Sequence, residues 1–62
     1  MFTRYEYYAD LNSNRIFRKA TMGQNMQEYI GGKWVPIQDA WRGFRISWFP
    51  ETQLKERMRK AA

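Results

Sequence analysis

The chain is 62 residues long and carries 11 Lys and Arg residues against 6 Asp and Glu, which gives a formal net charge of +5 at pH 7. It contains neither cysteine nor histidine, which excludes disulfides, the usual structural zinc ligands and the usual proton shuttle of catalysis near neutral pH. Its carboxylates form no closely paired motif and no metal-binding loop. We therefore expect one small domain that is not an enzyme and that holds no cofactor or metal.

Aromatic residues make up 18% of the chain and supply most of the material for a hydrophobic core. A domain of this size buries only about 60% of the surface that its unfolded chain exposes, so several aromatic side chains are expected to lie partly at the surface. No apolar run approaches the roughly 18 residues of a membrane span. A chain without cysteine is consistent with a reducing compartment, so we expect a cytoplasmic protein that does not bind membranes. Its positive charge favours anionic partners.

The first predicted element is a hairpin, with strands over residues 2–10 and 15–20 and turn-forming residues at 12–14. A loop with an even number of residues sets opposite charges against each other across the strands: Asp10 with Arg15, and Glu6 with Lys19. Such cross-strand pairs favour this register.

In this register the two faces of the hairpin differ in polarity. The face predicted to be buried carries Tyr5, Tyr7, Ala9, Ile16 and Ala20. The face predicted to be exposed carries Glu6, Tyr8, Asp10, Arg15, Phe17 and Lys19.

The second predicted element is a hairpin around Gly31-Gly32, after a loop over residues 21–25. A Gly-Gly pair between two β-favouring runs is typical of a two-residue turn, because both central residues adopt positive φ without a Cβ clash. Pairing across the turn sets Tyr29 against Trp34 on one face. The other face holds Met26, Glu28, Ile30, Lys33, Val35 and Ile37, and we expect this aliphatic face to be the buried one.

A short connection over residues 38–43 leads to a fifth strand, residues 44–48, which alternates with Phe44, Ile46 and Trp48 inward. Pro50 suits the first turn of a helix, and the spacing predicts that helix over about residues 50–61. Its narrow apolar stripe consists of Leu54, Met58 and Ala61.

These elements predict an α+β fold, mostly β: a four- to five-stranded antiparallel meander over about residues 2–49, with one C-terminal helix, within a single domain of residues 1–62. The predicted sheet core consists of Tyr5, Tyr7, Ile16, Met26, Ile30, Val35, Ile37, Phe44, Ile46 and Trp48, and Leu54 and Met58 of the helix close it.

The candidate contact surface is the aromatic and basic face that remains outside: Tyr8, Phe17, Tyr29, Trp34, Arg15, Lys19 and Arg45. Such residues are enriched where proteins bind proteins, so a small protein-binding module or regulator is the favoured interpretation. Single-stranded nucleic acid is the alternative partner, because rings stack on bases while cations follow phosphates. A structural role is equally open, since cross-strand aromatic pairs also stabilise small sheets. A homodimer formed through sheet edges is a further alternative.

Overall fold

The computed structural model describes residues 3–61, and within them five strands form one antiparallel sheet. The strands are β1 (Tyr5–Asp10), β2 (Ile16–Ala20), β3 (Met26–Ile30), β4 (Lys33–Pro36) and β5 (Ile46–Phe49). A 3₁₀-helix, Gln38–Gly43, joins β4 to β5, and a short one, Glu51–Gln53, leads into the helix α1 (Leu54–Ala61). This confirms the predicted fold class. Phe2, the start of the predicted first strand, lies outside the described residues, as do Met1 and Ala62.

The strand order is β4-β3-β2-β1-β5. The first four strands therefore form the predicted meander, whereas β5 crosses to the far edge and pairs with β1. This strand begins at Ile46 rather than at Phe44, because the 3₁₀-helix runs on to Gly43 and the Phe44 N–H donates to the Trp41 carbonyl.

Both hairpins have the predicted registers. Glu6 pairs with Lys19 across β1 and β2. Tyr29 pairs with Trp34 across β3 and β4. The turn between β3 and β4 places Gly31 at φ 59° and Gly32 at φ 80°, the left-handed region in which glycine is unstrained.

One face of the sheet, the helix face, packs against α1. Its buried cluster consists of Tyr7, Ala9, Ile16 and Phe49. The helix residues that pack on this cluster are Leu54, Met58 and Ala61, the stripe predicted from the sequence. This confirms two predictions: which face of the first hairpin is buried, and which residues of the helix pack on the sheet.

The opposite face, the outer face, is also covered. Phe17 lies on it and is fully buried, with its ring centroid 5.2 Å from that of Phe44. Met26 and Glu28 are buried on the same face, at 3% and 4% exposure. The sheet therefore has a small core on each side, and the prediction that the outer face of the first hairpin is exposed was wrong for Phe17.

The predicted orientation of the second hairpin was also wrong. Tyr29 and Trp34 lie on the helix face, where the Trp34 ring centroid is 6.2 Å from that of Tyr7. Ile30 and Val35, predicted to be core, are 48% and 37% exposed. The reason is the register of β2 with β3: Phe17 pairs with Glu28, which places Glu28 on the outer face and its neighbour Tyr29 on the helix face.

Trp48 is likewise misplaced in the predicted core, because it is 62% exposed. In β5 it is Phe49 that pairs with Tyr7 and becomes buried. Trp48 pairs with Tyr8 and therefore lies on the outer face, at the edge of the sheet.

Candidate functional site

The seven residues predicted to form one contact surface are divided between the faces. Tyr29 and Trp34 lie on the helix face. The register places four on the outer face: Tyr8, Phe17, Arg15 and Lys19. Arg45 immediately precedes the edge strand β5, where its carbonyl accepts the Leu11 N–H. The structure therefore does not bring these seven residues together on one face of the sheet.

Arg15 supports the outer-face core. Its Nε lies 2.6 Å from Oε2 of Glu28 and its Nη2 lies 2.8 Å from Oε1, a bidentate ion pair. The guanidinium also sits 4.2 Å from the ring centroid of Phe44. Arg15 was expected to pair with Asp10, but only the backbone of Asp10 meets it, through an N–H that donates to the Arg15 carbonyl. The side chain of Arg15 instead neutralises a buried carboxylate.

Lys19 and Tyr8 are engaged in a second polar group on the same face. The Lys19 Nζ lies 3.3 Å from Oε1 of Glu6 and also donates to the carbonyls of Ala20 and Gly23. The Tyr8 hydroxyl donates to the same Glu6 oxygen. These hydrogen bonds, from Lys19 first and Tyr8 second, hold the pKa of Glu6 below its ordinary value. Burial and the Glu6 hydrogen bond raise the pKa of Tyr8.

A different cluster on the helix face combines aromatic rings with a cation. The guanidinium of Arg18 lies between two rings, 4.0 Å from the centroid of Tyr5 and 4.6 Å from that of Trp34. Its Nε donates to Oε1 of Gln27 at 2.7 Å. We call these four residues, Tyr5, Arg18, Gln27 and Trp34, the Arg18 stack. Each of them is partly exposed, so the stack is a surface feature.

Four strands build the Arg18 stack, one residue from each. Tyr5 begins β1, Arg18 lies in β2 opposite Gln27 of β3, and Trp34 lies in β4. Because neighbouring strands are about 4.8 Å apart, side chains on one face of the sheet stand at stacking distance. The sheet therefore sets the spacing of the rings around the guanidinium.

The hydrophobic core fixes the rings from behind. Trp34 packs on Tyr29 at 5.1 Å between centroids and on Tyr7, which is 7% exposed. Burial raises the pKa of the Tyr7 phenol, so this group is neutral around pH 7. Beside the stack is a shallow hollow of about 520 Å³, lined by Thr3, Arg4, Tyr5, Tyr7 and Glu51. The result is a rigid surface next to an open depression.

Most of the described cations are not paired with a carboxylate, and one carboxylate, that of Glu51, lines the hollow beside the stack. Ion pairs join Glu6, Glu28, Asp39 and Glu56 to Lys19, Arg15, Arg42 and Arg59. Within residues 3–61, other cations have no carboxylate within 4.0 Å: Arg4, Arg18, Lys33, Arg45, Lys55, Arg57 and Lys60. Two of these precede stack residues in the chain: Arg4, which also lines the hollow beside Tyr5, and Lys33, which strand alternation places on the outer face, away from Trp34. The stack is therefore suited to an anionic partner surface.

The candidate residues predicted from the sequence include Trp34 but not Tyr5, Arg18 or Gln27. The signal for Arg18 was present, because the predicted apolar face of β2 runs Ile16, Arg18, Ala20 and an arginine interrupts it. A cation at such a position needs a partner or an aromatic ring. Partner binding by the seven residues predicted from the sequence stays a prediction.

The described residues contain no group of three or more Asp, Glu, His or Cys side chains placed to hold a metal ion. None of their helices is long and apolar enough to cross a membrane. No protein-family model matches the chain, and no curated protein or solved structure compared with it gives a significant match.

Proposed function

We propose that the protein is a small, non-enzymatic protein-binding module and that the Arg18 stack is its contact surface. The observation that carries this proposal is the guanidinium held between the rings of Tyr5 and Trp34. Trp, Tyr and Arg are the residue types most enriched at the energetic centres of protein interfaces. Rings that the core already fixes lose little conformational freedom when a partner binds.

The chemistry of the stack indicates what kind of partner it accepts. A stacked guanidinium presents its N–H donors in its own plane, where a carboxylate or a backbone carbonyl fits. The neighbouring Arg4 adds positive charge, and the net charge of +5 attracts an acidic surface from a distance. We therefore expect a protein partner that places acidic side chains over Arg18.

Single-stranded nucleic acid remains the second candidate, because so many described cations have no acidic neighbour. The packing of the aromatic rings argues against this alternative. Proteins of that class leave aromatic faces open for bases to stack on. In this chain Arg18 lies over the rings of Tyr5 and of Trp34, and the Trp34 ring also packs against the rings of Tyr7 and Tyr29.

The deciding experiment is a pull-down from the native lysate, with and without nuclease, using the parent chain, Arg18→Gln and Lys55→Gln. Both variants remove one positive charge, but Lys55 is an exposed residue of α1 and not a member of the stack. We expect the partner to survive nuclease, to be lost with Arg18→Gln and to be retained with Lys55→Gln. A partner retained by Arg18→Gln, or lost with nuclease, would contradict the proposal.

The nucleic-acid alternative has a direct test in salt dependence. Phosphate contacts release counterions, so affinity for a labelled single-stranded oligonucleotide should fall steeply as ionic strength rises. Titration at low and at moderate salt measures this fall. An absence of binding at low salt removes the alternative.

A further inference from the structure

The sheet has two edges within the described residues, β4 and β5, and their backbones differ. Immediately before β5, the Arg45 carbonyl accepts the Leu11 N–H at 2.8 Å, so the backbone groups of Arg45 point towards β1. Because these groups alternate in direction along a strand, Ser47 and Phe49 also point inward. Ile46 and Trp48 therefore direct their N–H and C=O groups to the open edge.

The β4 edge is protected against pairing. The Ile37 N–H donates to the Met26 carbonyl at 3.0 Å, so alternation turns the groups of Trp34 and Pro36 outward. Proline has no N–H, and natural sheets place proline and charged side chains on edge strands to prevent pairing with a strand of another molecule. Here Pro36 removes an outward donor, and Lys33 adds a charge in the same strand.

The β5 edge has neither a proline nor a charged side chain. Its four residues are Ile46-Ser47-Trp48-Phe49. Both outward residues keep their N–H donors, and both carry apolar side chains on the outer face, where Trp48 is 62% exposed. We propose that β5 pairs antiparallel with β5 of a second copy of the chain, so that one sheet continues across the dimer.

The strand is complementary to itself in one register. Side chains that face each other across a pair must lie on the same face, and outward backbone groups must meet outward groups. Setting Ile46 opposite Trp48 of the second copy meets both conditions and satisfies every outward N–H, with Ser47 opposite Ser47 at the two-fold axis. Setting Trp48 opposite Trp48 fails, because Ile46 would then face Pro50, which has no N–H.

This register also packs the exposed rings. Each Trp48 would cover Ile46 of the other copy, a cross-strand aromatic pair with a β-branched residue. The net charge of +5 on each copy opposes association, and salt screens that repulsion. Dimerisation is therefore expected to strengthen as ionic strength rises. Binding of an acidic partner at the Arg18 stack should weaken instead.

The register can be tested by cross-linking, because the chain has no cysteine of its own. In the proposed register the two Ser47 residues form a non-hydrogen-bonded pair. The opposed Cα atoms of such a pair are about 4.5 Å apart, at the short end of the range that a disulfide spans. Ser47→Cys should therefore form a covalent dimer under mild oxidation. Thr52→Cys, an exposed position beyond the strand, is the matched control and should cross-link far more slowly.

Sedimentation equilibrium over a concentration series supplies an independent measurement. The parent chain should approach twice its monomer mass, whereas Trp48→Lys should remain a monomer and keep its circular dichroism spectrum. A parent chain that stays monomeric at every concentration, Trp48→Lys that still dimerises, or equal cross-linking of the two cysteine variants would each overturn the proposal. Arg18→Gln should dimerise like the parent, so failure of the dimer and failure of the Arg18 stack are separate results.

Discussion

The ion pair on the outer face is asymmetric, and the asymmetry predicts how each half responds to mutation. The side chain of Glu28 is 6% exposed, whereas that of Arg15 is 48% exposed. Arg15→Met leaves a carboxylate buried without its bidentate partner. Glu28→Gln leaves a guanidinium that water can reach. We therefore expect Arg15→Met to be the more destabilising change.

The magnitudes follow from burial. Removing one partner of a buried ion pair costs about 3–5 kcal/mol, and the exposure of Arg15 places this case near the lower end, about 3 kcal/mol. Glu28→Gln keeps an oxygen that can accept from Arg15, so its cost should be about 1 kcal/mol. A chain of this length is expected to have roughly 3–9 kcal/mol of total stability, so the first loss is a large share of it.

Urea denaturation followed by tryptophan fluorescence measures both losses. The double variant Arg15→Met with Glu28→Gln removes the uncompensated charge, so it should be more stable than Arg15→Met alone. The reasoning is refuted if Glu28→Gln costs as much as Arg15→Met, or if the double variant is no more stable than Arg15→Met.

Three other predictions concern the fold. Gly31→Val should lower the free energy of unfolding by about 1–3 kcal/mol, since valine is strained at φ 59°, and a melting temperature unchanged from the parent would contradict the turn. Phe17→Ala should cost about 3–5 kcal/mol because the ring is fully buried, whereas Val35→Ala, at an exposed position, should cost about 0.5 kcal/mol or less by denaturant titration. The reverse order would contradict the burial of Phe17 and the exposure of Val35. NMR titration should place the pKa of Glu6 below its ordinary value. The stability that this carboxylate contributes is therefore fully present above the pKa of Glu6 in the unfolded chain, and it is lost as pH falls through the lowered pKa of the folded chain. Lys19→Gln should raise the pKa of Glu6, and a pKa unchanged in this variant would rule out the ion pair.

The sequence was sufficient for each hairpin taken by itself. Gly31-Gly32 specifies a tight turn, and a tight turn fixes the register of the strands that it joins. The match of Glu6 with Lys19 likewise identified the first register. These are local signals, in which a few neighbouring residues determine the pairing.

The orientation of one hairpin relative to the other is not local, and here the prediction failed. The loop over residues 21–25 is longer than a tight turn and permits more than one register between β2 and β3. A slip of one residue exchanges the faces of a strand. The aliphatic content of Ile30 and Val35 indicated the wrong face, because the larger rings of Tyr29 and Trp34 pack against the buried cluster of the helix face instead.

The same limit explains the candidate site. The Arg18 stack takes one residue from each of four strands, so it can be recognised only once the order and register of those strands are known. Phe17 was assigned to the outer face correctly. The burial of Phe17 depends on Phe44, which follows the 3₁₀-helix after β4 and packs on the Phe17 ring. The periodicity of a strand gives no information about a residue elsewhere in the chain that covers it.

Because β1 pairs with both β2 and β5, alternate amides of this strand form their hydrogen bonds at different times during folding. The amides of Glu6, Tyr8 and Asp10 face β2, so a local hairpin made early in synthesis can protect them from solvent exchange. Those of Tyr7 and Ala9 face β5, which is separated from them by more than half of the chain. Closing so long a loop is slow and entropically costly. Pulsed hydrogen exchange should therefore show two rates of protection within β1, alternating from one residue to the next, with the slower set reporting the arrival of β5.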